Sequence, residues 1–194
     1  MSLDTSAASD TMAARRKPPN ILLYCGKEDS ERGFDIALRT FSLCCNPEKS
    51  ILYNLKHDQI PKDPWVDNTS ALVLVSDNLD ARSGEKFLAY FKQGGVVCSF
   101  SNAFDAQFCE KFHQTNCDGF LKMTYGSWND VAVACGPCTY GKGPFECRLA
   151  DVNLTRLARD VHENAVILLA THTKSGGKAI LSLVGLHTSI SATQ

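Results

Sequence analysis

The sequence has no long hydrophobic run, no excess of one charge and no glycine-rich nucleotide fingerprint. Each absence removes a class of function. The longest apolar runs, Ile21–Cys25, Ala71–Val75 and Val166–Ala170, fall far short of the ~18–20 residues that span a bilayer. No membrane role is therefore expected. Twenty Lys and Arg stand against 21 Asp and Glu, a formal charge of -1. No global field draws nucleic acid, an acidic substrate or an anionic surface, and no nucleic-acid partner is expected. Residues 1–19 are small and polar, with Asp4 and Asp10 and no apolar stretch, unlike a secretory signal. Arg15-Arg16-Lys17 after two acids is equally unlike a mitochondrial presequence. The two sequons at Asn68 and Asn153 carry no meaning without secretion. The expected setting is a reducing, cytoplasmic one, with a mitochondrial or nuclear pool as the alternative, and in it the nine irregularly spaced cysteines act mostly as small apolar groups.

What is present suits one ordinary domain of 194 residues. The Ser/Ala/Asp/Thr-rich residues 1–17 read as a disordered tail, 18–188 as a single folded unit and 189–194 as a second tail. No repeat is visible and no linker interrupts residues 20–187. Ile21–Cys25, Ile51–Leu55, Ala71–Ser76 and Val96–Phe100 read as four strands, the first covered on both faces and the last buried. Phe34, Leu38, Phe41 and Cys45 form the stripe of an amphipathic helix, and Phe87, Leu88 and Phe91 mark another. Gly94-Gly95 predicts the stop of that second helix. Alternating strands and helices predict a parallel α/β sheet built from right-handed crossovers. The second half is less regular and β-rich. Asp130–Cys135, Ala165–Thr171 and Lys178–Leu186 look like strands, with Gly176-Gly177 signalling a hairpin. Leu154, Leu157 and Val161 suggest a short helix, and Trp65 and Trp128 read as half-buried anchors.

Chemistry is sparse. Cys135-Gly136-Pro137-Cys138 is a possible redox pair, since Cys-x-x-Cys at a helix N-terminus lowers the first thiol's pKa. The following Thr139-Tyr140-Gly141-Lys142-Gly143-Pro144 cannot sustain such a helix, so a structural loop is the better reading. Zinc needs a second pair at matching spacing, and Cys109, Cys117 and Cys147 do not supply it. The five histidines, His57, His113, His162, His172 and His187, are scattered singly, so no metal is expected. The first strand ends in Gly26-Lys27-Glu28-Asp29-Ser30, a poor phosphate cradle and neither G-x-G-x-x-G nor a P-loop. The fourth strand ends in Ser99-Phe100-Ser101-Asn102-Ala103. Ser101 occupies the nucleophile's place in a strand-to-helix elbow, although neither flanking position is Gly. Cys98 is the alternative nucleophile there. An inert turn is the better reading.

Several stretches resemble the biotin–protein ligase (holocarboxylase synthetase) family. They are Pro19–Gly26, Ile51–Leu55, Asp63–Asn68 and Lys86–Val97, followed by Cys138–Pro144 and Gly176–Leu181. The likeness extends over about residues 18–188 and rests on order and spacing, with no short catalytic fingerprint. It is to the N-terminal domain of the animal enzymes. It implies a flavodoxin-like three-layer fold with a mostly parallel sheet, similar to class I glutamine amidotransferases. The resemblance also makes Ser101 the counterpart of a cysteine nucleophile and His187 the nearest equivalent of a late His-x-Glu. With nucleophile, base and acid all substituted, no amidotransferase activity is expected. The Gly-Arg-Gly-rich loop and Lys-Trp-Pro-Asn-Asp-type strand of biotin activation do not occur, and the chain contains no Gly-Arg dipeptide. The expectation is a noncatalytic accessory domain that contacts a ligase catalytic domain or biotin-acceptor carboxylase domains. Biotin and ATP would enter only through a further catalytic domain. A degenerate amidotransferase-like hydrolase and a Cys-x-x-Cys redox protein are the alternatives.

Overall fold

The computed structural model describes residues 20–27, 30–62, 64–76, 78–109, 117–138 and 145–182. The tails expected over 1–17 and 189–194 lie outside the described residues.

The first half follows the hydrophobic pattern. Strand β1 (Asn20–Tyr24) pairs in parallel with β2 (Ile51–Asn54) and with β3 (Thr69–Leu74), and β3 pairs in parallel with β4 (Val96–Ser99). Helix α1 (Ser30–Ser42) follows β1, and helix α2 (Ala81–Lys92) joins β3 to β4. Continuous apolar strands are needed because both faces are covered. Leu22, Tyr24, Leu72, Leu74 and Val97 join the core that holds Phe87 and Phe91 of α2. Leu23, Cys25 and Val73 face the other way, against Ala37, Phe34 and Phe41 of α1. Asp80 caps α2, its carboxylate accepting the Ser83 N–H at 3.0 Å. Gly94, at φ +103°, ends that helix in a conformation that favours glycine. Trp65 sits in a 3₁₀ turn (Trp65–Asn68) as a half-buried anchor. Its ring packs against Phe87 and Tyr90, with centroids 5.9 and 5.4 Å away.

The second half corrects the expected architecture. After β4 the described residues hold one four-residue helix, α3 (Asn102–Asp105), and then only strands. These are β5 (Cys117–Tyr125), β6 (Trp128–Cys138), β7 (Val152–Asp160), β8 (Ala165–His172) and β9 (Lys178–Ser182). The sheet runs β2-β1-β3-β4-β9-β8-β7-β5-β6. β4–β9 is the last parallel junction, and β9–β8, β8–β7, β7–β5 and β5–β6 are antiparallel. The result is a mixed sheet of nine strands with three α-helices among the described residues. It is not the mostly parallel, flavodoxin-like, amidotransferase-like layering that the resemblance implied. The physical reason is connection length. A parallel junction requires a crossover of a dozen or more residues, usually helical, and the short turns after β5, β7 and β8 can only reverse the chain.

Two strands escaped the periodicity. Leu154, Leu157 and Val161 belong to or flank β7, not a helix, and Val161 is exposed. The ladder between β7 and β8 shifts register at Arg156/Ala158 and again at Ala158/Arg159. Such bulges break the two-residue alternation and leave apolar residues at a spacing that imitates a helix. β5 was not anticipated at all. Trp128 is 65% exposed beside the β5–β6 turn, unlike the anchor it was expected to be. The main core spans both halves on α2's face, where Phe91, Phe104 and Phe108 meet Leu168 and Leu181.

Candidate functional site at the carboxyl ends of the parallel strands

Ligands of parallel sheets gather outside the carboxyl ends of the strands, and two groups of side chains lie there. The first follows β4. Ser101 stands at the N-terminal boundary of α3 on an ordinary extended backbone, φ -104° and ψ 114°, without the strain of a nucleophile elbow. Its side chain is fully enclosed. The Ser101 N–H donates to Ser99 Oγ at 3.1 Å, and Ser99 Oγ donates to the Ser101 carbonyl at 3.3 Å. Ser101 Oγ itself has no hydrogen-bond partner among the described residues. Cys98 lies on the opposite face, with the α1-side cluster. Burial, and then the negative charge of Asp105, push its thiol up to about 11. The two candidate nucleophiles therefore do not share a pocket, and strand alternation is the cause. His187 lies outside the described residues.

Cys135 and Cys138 are not in a loop. Both belong to β6, where Cys135 pairs with Gly119 and Cys138 with Cys117 of β5. An extended backbone runs through the motif, so no helix N-terminus begins there to stabilise a thiolate. Among the described residues no three His, Cys, Asp or Glu converge as a metal site.

The second group was missed by sequence reasoning. Tyr24 at the end of β1, His57 in the loop after β2 and Asp80 before α2 meet above the sheet. Tyr24 Oη lies 3.2 Å from His57 Nδ1, which is 3.5 Å from Asp80 Oδ2. Burial first, and then the charge of Asp80, raise the Tyr24 pKa. The hydroxyl thus keeps its proton, and it donates to Nδ1 in the tautomer that leaves that nitrogen bare. The Asp80 carboxyl is held below its ordinary value, chiefly by the Ser83 N–H, with the Ser83 hydroxyl and His57 adding to this and burial opposing it. Ser83 Oγ donates to Asp80 Oδ2 at 2.8 Å. This serine is tied to the carboxylate and not to the imidazole, so it is not the activated nucleophile of a triad. His57 and Asp80, with Lys62, Arg82 and Lys86, line a cleft of about 260 Å³. Its polar groups can hold a proton or an ion pair. No local motif announces them, because three separate connections supply one residue each.

A larger open cleft of about 410 Å³ lies on the antiparallel half, walled by Phe145, Leu154, Arg156, His162 and Asn164. Beside it the buried Asp160 carboxylate accepts the His162 and Asn164 N–H groups and the Asn164 amide, each at 2.8 Å. These bonds shape the β7–β8 turn.

No protein-family model matches the chain. Solved structures that share its fold include two of unlike description. An exo-beta-1,4-mannosidase from Opitutaceae bacterium strain TAV5 superposes with a TM-score of 0.60 at 13% identity, covering 86% of this chain and 31% of that one. A ThuA-like protein from Bacteroides uniformis superposes with a TM-score of 0.55 at 10% identity, covering 90% and 85%. Likeness at such identity concerns fold alone. The human biotin–protein ligase is 30% identical over 178 residues, which is 88% of this chain and 24% of the ligase. Among the described residues no helix is long and apolar enough to cross a membrane. The chain spans about a quarter of the ligase it matches, and its relationship to biotin–protein ligase is a partial one carried by that quarter.

Proposed function

We propose that this ligase-related domain is an accessory, noncatalytic module. Its work is to contact other proteins, either a ligase catalytic domain or the biotin-acceptor domains of carboxylases, and biotin and ATP belong to that partner chemistry. The observation that carries the reading is the state of the β4 end. Ser101 is enclosed on a relaxed backbone, and Cys98 is kept as a thiol on the other face. An acyl-transfer site needs a nucleophile within hydrogen-bond reach of its base, and neither residue meets that need among the described side chains. The partial match to the human ligase supplies the direction of the proposal.

The test has two arms. Purified chain with biotin and MgATP is expected to form no biotinoyl-adenylate above a protein-free control, and to release no ammonia from glutamine. Immobilised chain is expected to bind a purified biotin-acceptor domain or ligase catalytic domain saturably. Adenylate or ammonia formation by the chain alone overturns the noncatalytic reading, and failure to bind either domain overturns the contact role.

A further inference from the structure

Cys109 and Cys147 face each other across an isolated antiparallel bridge. Cys109 follows α3, while Cys147 belongs to an extended strap over 145–149. Phe145, Cys147 and Leu149 of the strap pack on the main core, and Glu146 and Arg148 are exposed. The Arg148 N–H donates to the Phe108 carbonyl at 2.8 Å. That bond flanks the cysteine pair, so the two cysteines form a non-hydrogen-bonded antiparallel pair. In such a pair the Cα atoms stand about 4.5 Å apart and the side chains lie on one face. Disulfides accept Cα separations of roughly 4.4–6.8 Å. Burial agrees with the shared face: Cys109 is a member of the core against which Cys147 packs. A second tie, Arg148 Nη1 to the Ala106 carbonyl at 3.1 Å, holds the strap in register.

We propose that Cys109 and Cys147 are an oxidation site, forming a reversible disulfide when the protein meets a peroxide. Both are in the thiol form in this structure. Cys147 is only half-buried and Cys109 is fully enclosed, which orders the steps. Hydrogen peroxide oxidises the Cys147 sulfur to a sulfenic acid and is reduced to water. The Cys109 sulfur then attacks it, the S–S bond forms and the S–OH oxygen leaves as water with the Cys109 proton. One peroxide is consumed, two thiols are oxidised and two waters are released. The bond would fasten the strap to the segment that follows Ser101. A buried thiol is normally inert, and the partner held opposite it is what makes this one reactive.

Peroxide treatment of the full chain, alkylation and non-reducing peptide mapping test the site. A Cys109–Cys147 linked peptide is expected, two hydrogens lighter than its parts and released by dithiothreitol. Its yield should rise at least about tenfold faster in native than in urea-unfolded protein, because the fold holds the sulfurs together. In Cys109→Ser, Cys147 should stop at sulfenic acid and take up dimedone. Should that variant fail to fold, Cys147→Ser serves, and Cys109 should then stay unoxidised. The proposal is overturned if the exposed Cys44 oxidises while no 109–147 peptide appears. Equal linkage rates in native and unfolded protein overturn it too.

Discussion

Asp80 does two jobs with one carboxylate. It caps α2 through the Ser83 N–H and stands 3.5 Å from His57. Asp80→Ala removes both and should cost about 1 kcal/mol at pH 7, read as a lower urea midpoint at unchanged slope. Asp80→Asn keeps a good cap and should cost less than the alanine change. The two differ in pH dependence. The folded pKa of Asp80 is below its ordinary 3.8, so its ionised form adds stability that is complete above about pH 4 and fades as pH falls through the folded value. Asp80→Asn should therefore flatten the acid limb of the stability curve below pH 4, and at neutral pH it should lose the part that the ionised carboxylate adds. A steeper acid limb in that variant would contradict the assignment. Cys25 and Cys98 give a second residue-scale expectation. Burial, aided at Cys98 by Asp105, pushes each thiol up to about 11, so both should resist iodoacetamide at pH 8 while the exposed Cys44 reacts. Labelling of Cys98 as fast as Cys44 in the native protein would show that the thiol is not held protonated. None of this was legible in the sequence. His57 stood as one of five scattered histidines, and only the sheet brings it to Tyr24 and Asp80. Ser101 and Cys98 were legible as positions, but the face each occupies depends on the strand's registration in the sheet.

At the scale of elements, α2 and the β8–β9 turn approach closely, backbone against backbone. A Cβ built on Gly177 would lie 1.9 Å from the Phe91 carbonyl oxygen. The Gly177 carbonyl also accepts the His172 N–H at 2.8 Å, so the turn cannot simply move away. Gly177→Ala should destabilise by about 2 kcal/mol or more, as overpacking does in a rigid contact, measured by denaturant unfolding. A neutral result would mean that the turn shifts freely. Gly176-Gly177 was legible as a hairpin, and the hairpin formed. The approach to α2 was not legible, since it depends on where a distant helix ends. The same division holds elsewhere. β1, β3, α2 and β4 were readable because their apolar residues are continuous or follow one period. β7 was not, because its bulges at Arg156 and Ala158 disguise one period as another.

Across the whole molecule, β9 joins the parallel half to the antiparallel half, lying between β4 and β8. Leu181 on β9 is fully enclosed and belongs to the core shared by both halves. Leu181→Ala should cost about 2–5 kcal/mol and should weaken both halves together. Trp65 lies beside α2 on the parallel side and Trp128 beside the β5–β6 turn, so single-tryptophan variants can follow each half separately. Coincident unfolding curves are expected before and after the mutation. Separate midpoints would mean that the halves are independent units.

The sequence by itself determined the strands and helices of the first half, the near balance of charge and the want of a compact catalytic motif. These follow from residue type and local spacing, which act over a few residues. The tertiary structure alone decided that the sheet is mixed, that β9 sits at its centre, and that His57 meets Asp80 and Cys109 meets Cys147. Each of those outcomes depends on pairings between residues far apart in the chain. They are settled by connection length, register and shared burial, which no local pattern encodes.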